Sequence, residues 1–295
     1  MKPFIKWAGG KGQLLKEMRK NYPVELGKSI TKYCEPFVGG GAVLFDILES
    51  YELNEIYIND INAELINTYR MVQENVSSLI GKLMYMQNEY IPLDTIERKE
   101  YYYHMRQQFN DEKTNGDKFI NLDKAALFIF LNKTCFNGLY RVNSKGGFNV
   151  PMGAYKNPMI CDENNLMEIS RALQNVQIHC GDYSESASFV DENTFVYFDP
   201  PYRPLTETAS FTSYTENAFD DTAQIALAQY VGELTGKGSK IVVSNSDPKN
   251  INEHDNFFDI LYEAHKIQRV EAKRMINCQS ESRGTISELL IANFR

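Results

Sequence analysis

Short apolar runs that end in polar or glycine turns punctuate this chain at four places: Tyr33 to Phe37, Ile56 to Asn59, Phe195 to Phe198 and Lys240 to Ser244. Each has the length and composition of a buried strand. Near them, Gln13 to Lys20, Ala42 to Leu48 and Ala63 to Val72 repeat apolar residues at three- and four-residue spacing, the signature of one helix face. Strand and helix thus alternate in the βαβ manner of a parallel sheet, and the fold class is α/β. Between about residue 69 and residue 158 the alternation stops. SSLIGKLMYMQNEY, RKEYYYHMRQQF and KAALFIFLNKTCF read as helices, which predicts an inserted, mainly helical second domain over 69–158. The α/β domain is then made from 1–68 and 159–295.

At 295 residues the chain has room for about two folding units at roughly 150 residues each, and 43% hydrophobic content fills their cores. The formal charge of −8 would repel a polyanion, so any nucleic-acid contact must use a local basic surface. One such surface is legible. The stretch from Lys124 to Ile160 contains Lys124, Lys133, Arg141, Lys145 and Lys156 and no acidic residue, and it interleaves Phe136, Tyr140, Phe148 and Tyr155 with Asn137, Asn143 and Asn149. That mixture suits phosphate contact combined with stacking and base-edge hydrogen bonding. A basic loop over an aromatic core would have the same composition.

No run of about 18 apolar residues occurs, and the opening MKPFIKWAGGKGQLL puts glycines and lysines where a signal peptide needs an apolar stretch. The expected location is cytoplasmic. Cys34, Cys135, Cys161, Cys180 and Cys278 are odd in number, lack a CxxC pair and do not follow proline, so they read as buried reduced thiols. The four histidines show no metal-ligand spacing, and no metal is expected.

The most informative string is Asp199-Pro200-Pro201-Tyr202, directly after the apolar run Phe195-Val196-Tyr197-Phe198. Consecutive prolines stiffen the turn and push the residue before each into extended backbone. A carboxylate, a free carbonyl and an aromatic ring are therefore held at the carboxyl edge of the sheet, where open α/β sheets bind ligands. The combination suits an exocyclic amine: Asp199 and the Pro200 carbonyl each accept one N–H, while Tyr202 stacks on the heteroaromatic ring.

Near the start, Tyr33-Cys34-Glu35-Pro36-Phe37-Val38-Gly39-Gly40-Gly41 reads as a strand, a glycine turn and then a helix, with backbone that a ligand can approach closely. Asp60 closes the next strand about 20 positions on, where an acidic partner for a ribose diol is expected. Without a GxGxxG fingerprint, a nucleoside cofactor lacking phosphate fits best. Trp7-Ala8-Gly9-Gly10-Lys11-Gly12 fails as a nucleotide P-loop, because Gly12 stands where the magnesium-binding Ser or Thr belongs. Trp7 could instead wall a cofactor pocket.

The ordered set KWAGGK, EPFVGGG, YIND, NGLYRVNSKGGFNVP, GDY and DPPY, with SNS near residue 244 and SRGTISELLI at the end, resembles Dam-like DNA adenine-N6 methyltransferases of the D12 class, alpha subgroup. The resemblance implies a Rossmann-like S-adenosylmethionine-dependent sheet with an inserted target-recognition domain, acting on double-stranded DNA at GATC. It implies Trp7, Lys11, Phe37, Gly39, Asp60, Asp182 and Asp199 around the cofactor, with Asp199, Pro200 and Tyr202 holding the adenine. Phe136 and Asn137 would enter or flank the duplex, Leu139, Arg141, Asn143, Pro151 and Tyr155 would read or brace it, and Lys6 would assist. Ala154 departs from the basic residue many relatives carry.

The implied reaction flips the adenine out and displaces the sulfonium methyl directly, without metal or covalent enzyme intermediate. A restriction endonuclease acting on the same site, without a stable complex, is a compatible partner; no membrane partner is expected. Three rivals share the scaffold: an RNA adenine or DNA cytosine-N4 methyltransferase, an inactive DNA-binding regulator, and a dehydrogenase, the last disfavoured by the glycine pattern.

Overall fold

The computed structural model describes residues 1–115, 121–203, 219–273 and 285–294. In chain order the elements are α1 (Leu15–Met18), β1 (Lys32–Glu35), α2 (Ala42–Ser50), β2 (Glu55–Asp60), α3 (Ala63–Glu74), α4 (Val76–Tyr90), α5 (Thr95–Asn115), α6 (Leu122–Thr134), α7 (Glu163–Leu173), β3 (Val176–Cys180), β4 (Thr194–Phe198), α8 (Asp221–Gly236), β5 (Lys240–Ser246), α9 (Phe257–Leu261), β6 (Lys266–Lys273) and β7 (Thr285–Ala292). The strands form one seven-stranded sheet, ordered β3-β2-β1-β4-β5-β7-β6. The four strands expected from sequence are β1, β2, β4 and β5, and the pairs β1–β2, β1–β4 and β4–β5 are parallel. Strand β7 runs the other way, antiparallel to both of its neighbours, β5 and β6. The sheet is thus mostly parallel and Rossmann-like, as the βαβ alternation implied.

Contacts divide the chain into two compact units, the first made of 1–10, 39–49 and 60–181, the second of 11–38, 50–59 and 182–295. The helical stretch 69–158 lies inside the first unit. The backbone passes between units at Gly10–Lys11, Val38–Gly39, Asn59–Asp60 and Gly181–Asp182, as well as at Glu49–Ser50. Four sequence motifs therefore straddle a crossing, and DPPY lies wholly in the second unit.

Unit one is built around α6. Its residues Ala125 to Asn132 and Thr134 are buried on every side, as an apolar helix without a polar face requires. The helix starts where Asn121 accepts from the Lys124 N–H, a side-chain cap. In unit two, β4 (TFVYF) is buried along its whole length, so both faces of the sheet are covered there. Val196, Phe198, Leu227, Val231, Ile241, Val243 and Leu289 belong to that core.

Two expectations change. Gln13 to Lys20 is not one helix: single 3-10 turns at Lys11–Gln13 and Arg19–Asn21 flank the four-residue α1. Its apolar stripe nonetheless survives, with Leu14, Met18 and Tyr22 all buried. Cys34, Cys135 and Cys161 are buried, but Cys180 is exposed because it ends the edge strand β3; Cys278 lies outside the described residues.

Candidate active site

In unit two, β1 and β4 are hydrogen-bonded neighbours with Tyr33 opposite Phe195 and Cys34 opposite Val196. Continuing that register brings Phe37 and Asp199 off the same carboxyl edge, and the Phe37 and Phe198 rings lie 6.3 Å apart. Sheet order reverses at this pair, since β2 lies on one side of β1 and β4 on the other. Asn59, at the end of β2, pins the β1 turn from beneath: its carbonyl accepts from the Val38 N–H at 2.9 Å and its amide donates to the Pro36 carbonyl at 3.2 Å.

The DPPY turn is held from several directions. Lys11 Nζ lies 2.7 Å from Asp199 Oδ1 and 2.8 Å from Oδ2, with the lysine side chain 3% exposed. The Ser244 hydroxyl donates to Oδ1 at 2.8 Å. Gln224 donates to the Pro201 carbonyl at 3.1 Å, and Asn245 Oδ1 accepts from the Arg203 N–H at 3.4 Å. Arg203 then forks onto Asp221 and reaches Asp255, locking the exit of the turn. Among the described residues no donor is bonded to the Pro200 carbonyl. Tyr202 lies with its ring centroid 4.7 Å from Lys11 Nζ, and its hydroxyl donates to Glu288 Oε2 at 2.5 Å. Burial first, then the negative charges of Asp199 and Glu288, keep that phenol protonated well above its ordinary range.

Phe37 heads an aromatic cluster with Tyr183 and Phe219, at 5.3 and 5.9 Å between ring centroids. Asp182 precedes it as the N-cap of the turn Tyr183–Ser188: its carboxylate accepts from the Ser184 N–H, and Glu185 returns the favour to the Asp182 N–H.

In unit one, the glycine turn meets the other half of the N-terminal motif. Asp60 Oδ2 accepts from the Gly39 N–H at 3.1 Å, and Oδ1 accepts from the Asn62 N–H at 2.9 Å. Burial pushes the Asp60 carboxyl up to about 6, against the backbone N–H groups of Asn62, Gly39 and Ile61, which pull it down. Gly39 has φ +47°, and a Cβ there would sit 2.8 Å from Trp7 Cδ1. The glycine therefore admits the indole as well as keeping the backbone open. Trp7 in turn stacks on Tyr140, centroids 5.5 Å apart.

The proposed DNA-reading residues all fall in unit one. Phe136 is 51% exposed on a single 3-10 turn, and its N–H bonds to the Pro151 carbonyl at 2.8 Å. Asn137 follows at φ +56° and is also exposed, a strained backbone for a residue with a Cβ. Arg141 and Asn149 bracket a small hairpin whose tip is held by Asn143, which accepts from Lys145 and Gly147 N–H groups. Leu139 is half-buried, its carbonyl accepting from the Cys135 thiol. Lys6 reaches the Tyr155 hydroxyl at 3.4 Å, and Asn132 bonds both backbone groups of Lys6 as well as the Gly138 carbonyl. Lys6 is thereby tied to the turn that carries Phe136 and Asn137.

Sequence reasoning did not find Glu288, Gln224 or Arg203, and it assigned Lys11 to the cofactor without foreseeing Asp199 as its partner. Residues 188 positions apart give no local signal. Among the described residues no cluster of potential metal ligands occurs, and no helix is long and apolar enough to cross a membrane.

The family described as D12 class N6 adenine-specific DNA methyltransferase matches residues 7–276. The type II methyltransferase M.MjaIII of Methanocaldococcus jannaschii is 50% identical over 100% of this chain and 99% of that protein. The type II methyltransferase M1.LlaDCHI of Lactococcus lactis subsp. cremoris is 38% identical over 100% and 96%, and a DNA adenine methylase of Haemophilus influenzae 34% over 98% and 92%. With a match spanning most of its length and these relatives across its whole extent, the chain belongs to the D12 class N6 adenine-specific DNA methyltransferase family and is an enzyme of that kind.

Proposed function

We propose that the protein transfers a methyl group from S-adenosylmethionine to N6 of an adenine flipped out of duplex DNA, at GATC. The observation that carries this reading is the pair of acceptors at the DPPY turn, which among the described residues keeps lone pairs to spare. A carboxylate offers about four lone-pair sites. Among the described residues, Asp199 Oδ1 takes Lys11 and Ser244, Oδ2 takes Lys11 alone, and the Pro200 carbonyl takes no donor. Two N–H groups of one exocyclic amine fit one acceptor each.

The amine is a poor nucleophile because its lone pair is delocalised into the purine. Accepting both N–H groups favours a more tetrahedral nitrogen and turns the lone pair outward. Asp199 then stabilises the positive charge that grows on N6 electrostatically, and one N6 proton leaves to solvent once the methyl is in place. Extruding the base costs a few kcal/mol, offset by stacking on Tyr202 and by the two hydrogen bonds. When bound, the cofactor supplies the electrophilic methyl.

Trp7, Phe37, Gly39, Asp60 and Asp182 are the residues that would hold it, with Lys11 and Asp199 beside the reacting group. The fit is chemical: Asp60 is fixed by two backbone N–H groups and keeps lone pairs for a ribose diol, and the indole offers a flat wall. Residues 69–158 would form the recognition domain, with 1–68 and 159–295 catalytic. Phe136 and Asn137 would wedge the duplex, and Lys6, Leu139, Arg141, Asn143, Pro151 and Tyr155 would read or brace the site. A cognate endonuclease is a compatible partner for such an enzyme.

The test is plasmid treated with the protein and cofactor, then cut with nucleases specific for methylated or for unmethylated GATC. Conversion from one pattern to the other supports the site. Incorporated methyl with an unchanged GATC pattern would move the specificity elsewhere.

A further inference from the structure

We propose that Glu288 is a positioning residue for methyl transfer, acting through the Tyr202 hydroxyl to fix the ring on which the target base stacks. The inference rests on the reading of Tyr202 as that stacking surface. Strand β7 places Glu288 opposite Ser246, one pair beyond the β5 residue Asn245 that holds the DPPY exit. From there its Oε2 accepts the Tyr202 hydroxyl at 2.5 Å. The bond fixes the far end of the ring axis. Because a phenolic O–H lies in the plane of its ring, a fixed acceptor also selects the rotation of the ring about that axis.

A second contact acts on the same ring from its face, where the Lys11 ammonium lies 4.7 Å from the centroid. One face is thereby covered, and in the proposed scheme the base stacks on the opposite one. The turn itself cannot supply this restraint: the prolines fix backbone before Tyr202, and its side-chain torsions remain free. The antiparallel strand thus brings in a group that no parallel strand of the sheet provides at this point. Glu288 touches neither base nor cofactor in this scheme, so its effect passes entirely through Tyr202.

A mutant cycle reads this directly. Glu288→Leu and Tyr202→Phe should each lower kcat about tenfold, the rate equivalent of one hydrogen bond worth about 1.4 kcal/mol, with little change in KM for DNA. The double variant should be no slower than the slower single, and Glu288→Gln, which keeps an acceptor, should recover most of the loss. Circular dichroism establishes that each variant is folded. Additive losses in the double variant, or a Glu288→Gln enzyme as slow as Glu288→Leu, would overturn the proposal. Tyr202→Ala separates the two levels of the reading. If that variant turns over normally, stacking on Tyr202 is wrong and the Glu288 role falls with it. If it is inactive while the cycle is additive, only the Glu288 role fails.

Discussion

The ammonium of Lys11 and the carboxylate of Asp199 form an ion pair at 2.7 and 2.8 Å across 188 residues of sequence, with the lysine almost wholly buried. Such a pair is held less for net stability than for what happens when it is broken, because the survivor is a charge out of water. Asp199→Ala should abolish transfer and also lower the unfolding free energy by about 3 kcal/mol, the low end for a broken buried pair, since Asp199 keeps some exposure. Combining it with Lys11→Met should restore most of the stability and none of the activity. Urea unfolding of the three variants checks this; an Asp199→Ala protein as stable as the parent would contradict it.

Asp60 gives a pH dependence with a definite sign. Burial, the largest cause, raises its carboxyl to about 6, above its ordinary value near 3.9 in an unfolded chain. Its contribution to stability is therefore fully present below about 4 and is lost as pH rises through about 6. Asp60→Asn removes this loss. The stability of Asp60→Asn relative to the parent should rise between about pH 4 and pH 6 and stay level above about pH 7, as followed by thermal unfolding in a pH series. An ionised Asp60 is also the better acceptor for a ribose diol, so cofactor affinity of the parent should strengthen over the same interval.

Gly39 is confined by conformation and by space together. Alanine there must adopt φ near +47° and place its Cβ 2.8 Å from the Trp7 indole. Gly39→Ala should destabilise the protein by roughly 1–3 kcal/mol. The chain has one tryptophan, so its fluorescence reports this turn alone. The emission should shift to the red as the indole is displaced from Tyr140, and calorimetry should show weakened cofactor binding. Unaltered emission would show that the turn yields without moving Trp7.

Arg141 is exposed, and its Nε is committed to Asn149 Oδ1 at 2.7 Å, which aims the rest of the guanidinium. As a base-reading residue, its loss in Arg141→Ala should cost about 1–3 kcal/mol at one base pair and relax discrimination there. Methylation rates on duplexes carrying each single substitution of GATC measure it. A uniform loss on every duplex would reassign Arg141 to the DNA backbone.

The strands that carry the site were legible because each is a short buried run ending in a turn: β1 before EPFVGGG, β2 before Asp60, and β4 before DPPY. The motif spacing singled out Asp60 as a ribose partner; its bond to the Gly39 N–H was not foreseen. Strand β3 escaped notice because VQIHC is partly exposed at the sheet edge and lacks a sustained apolar run. The antiparallel hairpin escaped for another reason: pairing direction depends on a connection between distant segments, and nothing in TISELLIA states which neighbour it will choose. Lys11, Ser244 and Glu288 converge on the DPPY turn from three such segments. Tertiary structure alone brings them together.

In the proposed reaction Asp199, Pro200 and Tyr202 present an adenine amine for methylation. The most direct measurement is to react the enzyme with methyl-tritiated S-adenosylmethionine and a GATC duplex, hydrolyse the product to nucleosides and separate them. Label should run with N6-methyldeoxyadenosine and be absent with an Asp199→Asn enzyme. Label in N4-methyldeoxycytidine, or undiminished transfer by Asp199→Asn, would contradict the account.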